Sequence, residues 1–314
     1  MLMYQQTIAA KITFDGVGVH SGMPVSLNLI PADADTGIVF RRRLDDGAVR
    51  DIQAIATNAP LGDLSTMIGD NDGVMIATIE HLMAALYAAG VDNAVVEINA
   101  GETPIMDGCS AIFTSAIDET GLVSQPVKRR YIKILKRVTV EHNGARAEYR
   151  PYNTTRFEVE IEYDCDAIGR QSYAADLTPD RFKRDLARAR TFGFMKDVER
   201  LWAAGYALGS SLENSVVIDV DGGIVNPDGL RYEDEFVRHK ALDAVGDQAL
   251  AGARILGCYS SYRGGHRLNA MALRALLADP TAYEIVELPV RRVDPVRHAP
   301  LVAVAAPAYG PQML

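Results

Sequence analysis

Two hydrophobic rhythms run along this chain, and each occurs twice. Alternating apolar and polar positions in KITF, VSLNLIP and GIVFRR predict short strands separated by turn residues. The alternation returns near residue 128 in YIKILKRVTVEH, ARAEYRP and RFEVEIEYD. After each block the rhythm changes to helix, strand, helix. In the first half these are TIEHLMAALYAAG, NAVVEINA and AIFTSAIDETG; in the second they are EDEFVRHKALDAVGDQALAG, RILGCYSSY and HRLNAMALRALLAD. The repeated order of elements predicts a diverged duplication of one α+β unit. TGLVSQPVKRR, with Gly, Pro and a basic cluster, reads as the break between halves. The expected division is a first domain over 1–125, a second over 128–285, and a tail over 286–314 dotted with Pro289, Pro295, Pro300, Pro307 and Pro311. Equivalent helices can then face each other across the interface, a common place for a ligand.

The helical segments carry the candidate chemistry. In EFVRHKALDAVGD, His239, Asp243 and Asp247 stand four residues apart. Each such step advances about 40° around a helix, so the three form a leaning ladder, with Leu242, Val245 and Ala249 on a separate apolar stripe. In TIEHLMAAL, Leu82, Ala85, Leu86 and Ala89 mark the buried face, Thr78 is the expected N-cap, and Glu80 and His81 begin the helix. His81, His239 and Asp243 make a two-His, one-carboxylate set, which with water in the fourth position suits a catalytic zinc. Glu80 beside a ligand suits a base for that water, although no HExxH or HxxEH occurs. By spacing alone, solvated His/Asp and Glu/His pairs remain equally admissible.

Composition narrows the class. A net charge of −9 argues against a general nucleic-acid binder, which carries a basic face. The scattered Cys109, Cys165 and Cys258 offer neither a disulfide framework nor a thiolate zinc site, so a reducing cytoplasm is expected. The N-terminus lacks a signal-peptide pattern, and no apolar run approaches the length of a membrane span.

Other stretches leave two readings open. His266 follows a glycine turn in YRGGHRLN, as an acid/base residue or as a turn histidine facing water. Asp247 either orients that His or is a surface carboxylate. In RARTFGFMKD, Thr191 can donate to an oxyanion and Phe192 and Phe194 can stack or line a channel. Arg181, Arg184 and Arg188 form a helical stripe that attracts phosphate or is simply solvated. LWAAGYALGSSLENSVVI suits a greasy groove or ordinary core. GVGVHSG lacks the GxGxxG context of a dinucleotide site. His20, His142 and His298 are left outside the site.

TIEHLMAAL, PIMDG, ARTFGF, GSSLENSVV, GLRYEDEFVRHKALDAVGD and GGHRLNA resemble, in order and spacing, the UDP-3-O-acyl-N-acetylglucosamine deacetylase family. These motifs span most of the chain. The resemblance implies two similar α+β domains in a layered sandwich, helices inside and sheets outside. It implies a cytoplasmic zinc amidase that removes acetate from acylated UDP-N-acetylglucosamine, the committed step toward lipid A. Its metal ligands would be His81, His239 and Asp243, with ferrous iron an alternative to zinc. Glu80 would be the base, His266 the acid, Thr191 an oxyanion donor, and Lys240 and Asp247 charge-balancing residues. Phe192, Phe194 and Asp197 would meet substrate near the nucleotide. An insert near 195–220, including Leu201, Ala207 and Ser211, would form the acyl passage. A monomer that touches the membrane surface only transiently, with no nucleic-acid partner, is expected. The rivals are another zinc amidase or peptidase sharing the ligand set but not the substrate, and a non-catalytic nucleotide-sugar binder.

Overall fold

The computed structural model describes residues 3–44 and 46–287. The Pro-dotted tail and His298 lie outside the described residues. Five strands of the first half form one sheet in the order Ile12–Val17, Pro24–Pro31, Ala94–Ile98, Ile38–Arg43, Val49–Gln53. Their alternation places Leu27 opposite Ile98 and Leu29 opposite Val96 on the buried face, while Asn28 opposite Glu97 faces outward. In the second half a seven-stranded sheet is built around Arg254–Tyr262, which pairs with Arg130–Ile134, Ala145–Arg150 and Thr155–Glu162.

Among the described residues six α-helices accompany the sheets: α1 (Glu80–Ala89), α2 (Ala111–Thr120), α3 (Pro179–Asp185), α4 (Met195–Ala203), α5 (Glu235–Gln248) and α6 (His266–Ala278). The duplicated plan is visible in the connections. The strand after α1 lies central and parallel to Ile38–Arg43, and the strand after α5 lies central and parallel to Arg130–Ile134. Between the sheets, α1 divides its side chains. Leu82, Met83, Ala85 and Leu86 join the first-sheet core, whereas Ala84, Tyr87 and Ala88 join the second-sheet core with Phe236, Leu242 and Val245 of α5. This is the layered α+β sandwich with helices inside.

The crossing of α1 and α5 is close because residue 246 is glycine. A Cβ there would lie 2.1 Å from the Glu80 carbonyl oxygen. The helices that carry His81 and His239 are thereby held backbone to backbone.

Several local expectations need correction. TGLVSQPVKRR is not an open break, because Leu122–Lys128 pairs antiparallel with Tyr4–Ile8. Its Pro126 is tolerated since that ribbon leaves an edge free. YIKILKRVTVEH is two strands, Arg130–Ile134 and Val138–His142. α5 is buried on nearly every side rather than along one stripe, and Ala249 lies in the 3-10 turn that follows it. α3 ends at Asp185, so Arg188 leaves the proposed arginine stripe. Thr78 is not the N-cap of α1; it has φ 59° and its hydroxyl donates to Glu102 Oε1 at 2.9 Å.

Candidate metal centre and acid/base cluster

The N-terminal turn of α1 faces the middle of α5, and the start of α6 closes the third side. His81, His239 and Asp243 each offer one ligand atom, all within 4.8 Å of one another and all buried. Asp243 Oδ1 lies 3.3 Å from His239 Nε2 and 3.7 Å from His81 Nε2. That oxygen is buried and has no hydrogen-bond partner, a costly arrangement for a carboxylate unless a cation completes it. Burial, helped by the mutual repulsion with His239, drops the His81 pKa to about 3, and burial also lowers that of His239. Both rings are therefore neutral. His239 Nδ1 lies 3.0 Å from the Ala189 carbonyl, which accepts its hydrogen bond and leaves the Nε2 lone pair facing Asp243. Burial would raise the Asp243 carboxyl, but its charged neighbours Lys240 and His266 oppose this and help hold the group ionised. Lys240 Nζ bonds Asp243 Oδ2 at 2.9 Å. The donor set and the orphaned oxygen fit a divalent metal.

Beside this centre sit two groups whose pKa values are both pushed up. Burial raises the Glu80 pKa to about 8, countered in part by His266. His266 loses charge to burial but gains more from Asp247 and Glu80, which lift its pKa to about 9. Asp247 Oδ2 is 3.0 Å from His266 Nδ1 and accepts from Asn269 Nδ2 at 2.7 Å. The ladder on α5 thus serves two neighbours, with Asp243 toward His81 and Asp247 toward His266. His266 Nε2 stands 3.7 Å from Glu80 Oε1 and 3.8 Å from Asp243 Oδ2. Three groups with shifted pKa values converge on one buried spot.

Thr66 was missed by the sequence reading. Its amide donates to Glu80 Oε2 at 3.0 Å, its hydroxyl donates to Asp247 Oδ1, and that hydroxyl lies 3.1 Å from His266 Nδ1. One loop residue therefore joins Glu80 to the Asp247–His266 pair. A threonine in LSTMIG belongs to no periodic element and no ligand pattern, so nothing local flagged it.

Some motifs without evident chemistry form a bracket around His81 and His239. Gly108 of PIMDG has φ 81°, and a Cβ there would fall 1.9 Å from the Asn214 carbonyl oxygen. Its own carbonyl accepts from Thr191 N at 2.8 Å, and the Thr191 carbonyl accepts from Val216 N at 2.8 Å. Ser110 Oγ donates to the His81 carbonyl at 2.7 Å. Arg190, buried, binds the Glu235 carboxylate through Nε at 2.9 Å and Nη2 at 3.1 Å. PIMDG, ARTFGF and SLENS are thereby fastened together, and Ala189 is fixed under His239.

Thr191 is two residues beyond Ala189. Phe192 packs on Phe236 with ring centroids 4.9 Å apart and lies under Lys240 Nζ at 5.5 Å. Phe194 is farther along the same short strand, against Tyr163 at 6.0 Å. Asp197 is engaged with Arg200 on α4, at 3.0 Å. Leu201, Ala207 and Ser211 belong to the segment on and after α4. The structure brings that segment onto the GVGVHSG turn, where Leu208 N donates to the His20 carbonyl and Gly209 N to that of Val19. The His20 and Tyr206 rings are 5.4 Å apart, and burial lowers the His20 pKa while Glu102 opposes it and His266 adds a weaker repulsion. His20, left out by the sequence reading, is therefore a neighbour of the acid/base cluster.

A sequence model of the UDP-3-O-acyl N-acetylglycosamine deacetylase family matches residues 5–278. The chain belongs to that family. UDP-3-O-acyl-N-acetylglucosamine deacetylases of Brucella ovis, Brucella canis and Brucella melitensis are each 57% identical over 288 residues, covering 91% of this chain and 100% of each relative. Among the described residues no helix is long and apolar enough to cross a membrane.

Proposed function

We propose that this protein hydrolyses the N-acetyl group of UDP-3-O-acyl-N-acetylglucosamine, giving the free amine and acetate, as the committed step of lipid A biosynthesis in the cytoplasm. The supporting observation is the unpaired Asp243 oxygen beside two neutral imidazoles, set against Glu80 and His266. The relatives' shared name gives the substrate.

His81, His239 and Asp243 hold the metal, taken here as zinc with ferrous iron the alternative; when bound, it acidifies water and polarises the acetyl carbonyl. Glu80, ionised, accepts the proton of the attacking water. His266, charged, donates its Nδ1–H to Asp247 and carries its other proton on Nε2, which can steady the oxyanion and then protonate the departing amine. The Thr191 hydroxyl adds a second oxyanion donor. Lys240 keeps Asp243 charged, and Asp247 keeps His266 charged. Phe192, Phe194 and Asp197 meet the substrate near the nucleotide.

Leu201, Ala207 and Ser211 belong to the acyl passage. What supports this is the exposed apolar surface of that segment, where Trp202 is 56%, Leu208 54% and Tyr206 43% accessible. The protein works as a monomer and meets the membrane only through its acylated substrate. Acetate release from that substrate by the purified chain tests the reading; a chain holding one metal but releasing no acetate would turn it toward another amidase.

A further inference from the structure

At the ends of α1 and α5 remote from the metal ligands, the two halves enclose a second cavity of about 420 Å³. Leu86 and Tyr87 of α1, Arg129, and Ala253 and Arg254 contribute to its wall. Its volume falls within the range of small-molecule pockets, about 300–1,000 Å³.

The charges in the wall are unequally matched. Arg129 is satisfied by Asp92, through Nε at 3.0 Å, and by the Gly90 carbonyl at 2.6 Å. Arg130 reaches Asp35 at 3.4 Å. Arg254 instead lies with Cζ 4.5 Å above the Tyr87 ring, and among the described residues no carboxylate comes within ion-pair distance of it. Burial works against its charge, as does Arg129, while Tyr87 and the more distant Asp92 favour it. Tyr87 is held in place because its hydroxyl accepts from the Ile255 amide at 2.9 Å. In a protein of net charge −9, an anion would be gathered only by such a local cation. Met83, Leu86 and Val91 make part of the remaining wall apolar.

We propose that this seam is a second binding site, for a small organic carboxylate with an apolar body, its acid group held by Arg254 and its body laid between the halves. No covalent step is involved. Arg254 lies outside the acid/base cluster, so binding and turnover are separable.

The test is calorimetric titration of octanoate into the metal-loaded full chain. Arg254→Gln is expected to weaken binding at least tenfold, Arg254→Lys less, and Ala253→Phe to remove it by filling the cavity, each with turnover within twofold of wild type. Ala253→Phe also serves if Arg254→Gln does not fold. Octanoate affinity unchanged in both Arg254→Gln and Ala253→Phe overturns the proposal. So does binding lost only in Leu208→Asp, which would assign it to the segment after α4. Inorganic phosphate binding as tightly as octanoate would overturn the requirement for an apolar body.

Discussion

Replacing Thr66 by valine removes one hydroxyl, keeps the shape, and keeps the amide that donates to Glu80 Oε2. The hydroxyl lost is the donor to Asp247 Oδ1, and it lies 3.1 Å from His266 Nδ1. Asp247 Oδ2 would still have His266 and Asn269, at 3.0 and 2.7 Å, while Oδ1 loses its donor, so the carboxylate keeps its charged partner. The loss is then that of one hydrogen bond to a charged group, about 1.5–3 kcal/mol. If Thr66 matters by fixing the Asp247–His266 pair where the amine departs, that energy appears in the transition state. It corresponds to roughly a 10- to 150-fold fall in kcat/KM. Metal content should not change, because no ligand is touched. Thr66→Ser, which retains both donors, should recover most of the activity. The assay is acetate release under kcat/KM conditions, with metal measured on the same samples. Thr66→Val within twofold of wild type, or Thr66→Ser as impaired as Thr66→Val, would refute the reasoning.

Further outcomes follow from the same geometry. Glu80→Ala and His266→Ala should each slow turnover by about two orders of magnitude or more; a near-normal rate in either would remove that residue from its role. Activity needs Glu80 ionised and His266 protonated, so the pH profile should be a bell whose rising limb is Glu80, pushed up to about 8, and whose falling limb is His266, near 9. A cation at the metal site would lower both limbs. Asp247→Asn removes the anion that raises His266, so its falling limb should move to lower pH; an unmoved limb would contradict the assignment. Gly246→Ala drives a Cβ into the Glu80 carbonyl and should cost about 1–3 kcal/mol or more by denaturant unfolding. Glu235→Ala leaves Arg190 buried without its carboxylate and should cost about 3–5 kcal/mol, with unchanged unfolding arguing against the bracket.

Much of the fold was legible because periodicity reports burial. VSLNLIP became Pro24–Pro31 with its alternate residues in the core, and EDEFVRHKALDAVGDQALAG contained α5. Periodicity failed where the cause of order was pairing rather than burial. LVSQPVK exposes most of its side chains, yet it is a strand because Tyr4–Ile8 pairs with it. α5 misled in the other direction: a helix enclosed on all sides needs no apolar stripe.

In the candidate site, His239, Asp243 and Asp247 announced themselves by regular spacing on one helix. Glu80 and His81 could be added because the same plan occurs twice. Thr66 and His20 could not, since their proximity to the cluster arises only from the tertiary approach of loops. The glycines at 108 and 246 look like turn or helix-weakening residues in sequence. Their reason is a backbone oxygen within about 2 Å of where a Cβ would stand. That reason exists only in three dimensions.

The most direct measurement of the central claim is acetate release from UDP-3-O-acyl-N-acetylglucosamine by the purified chain, before and after metal removal by a chelator, with zinc then restored. The account predicts that activity disappears and returns as the chain takes up about one zinc per chain at His81, His239 and Asp243. Hydrolysis that persists after complete metal removal would contradict it.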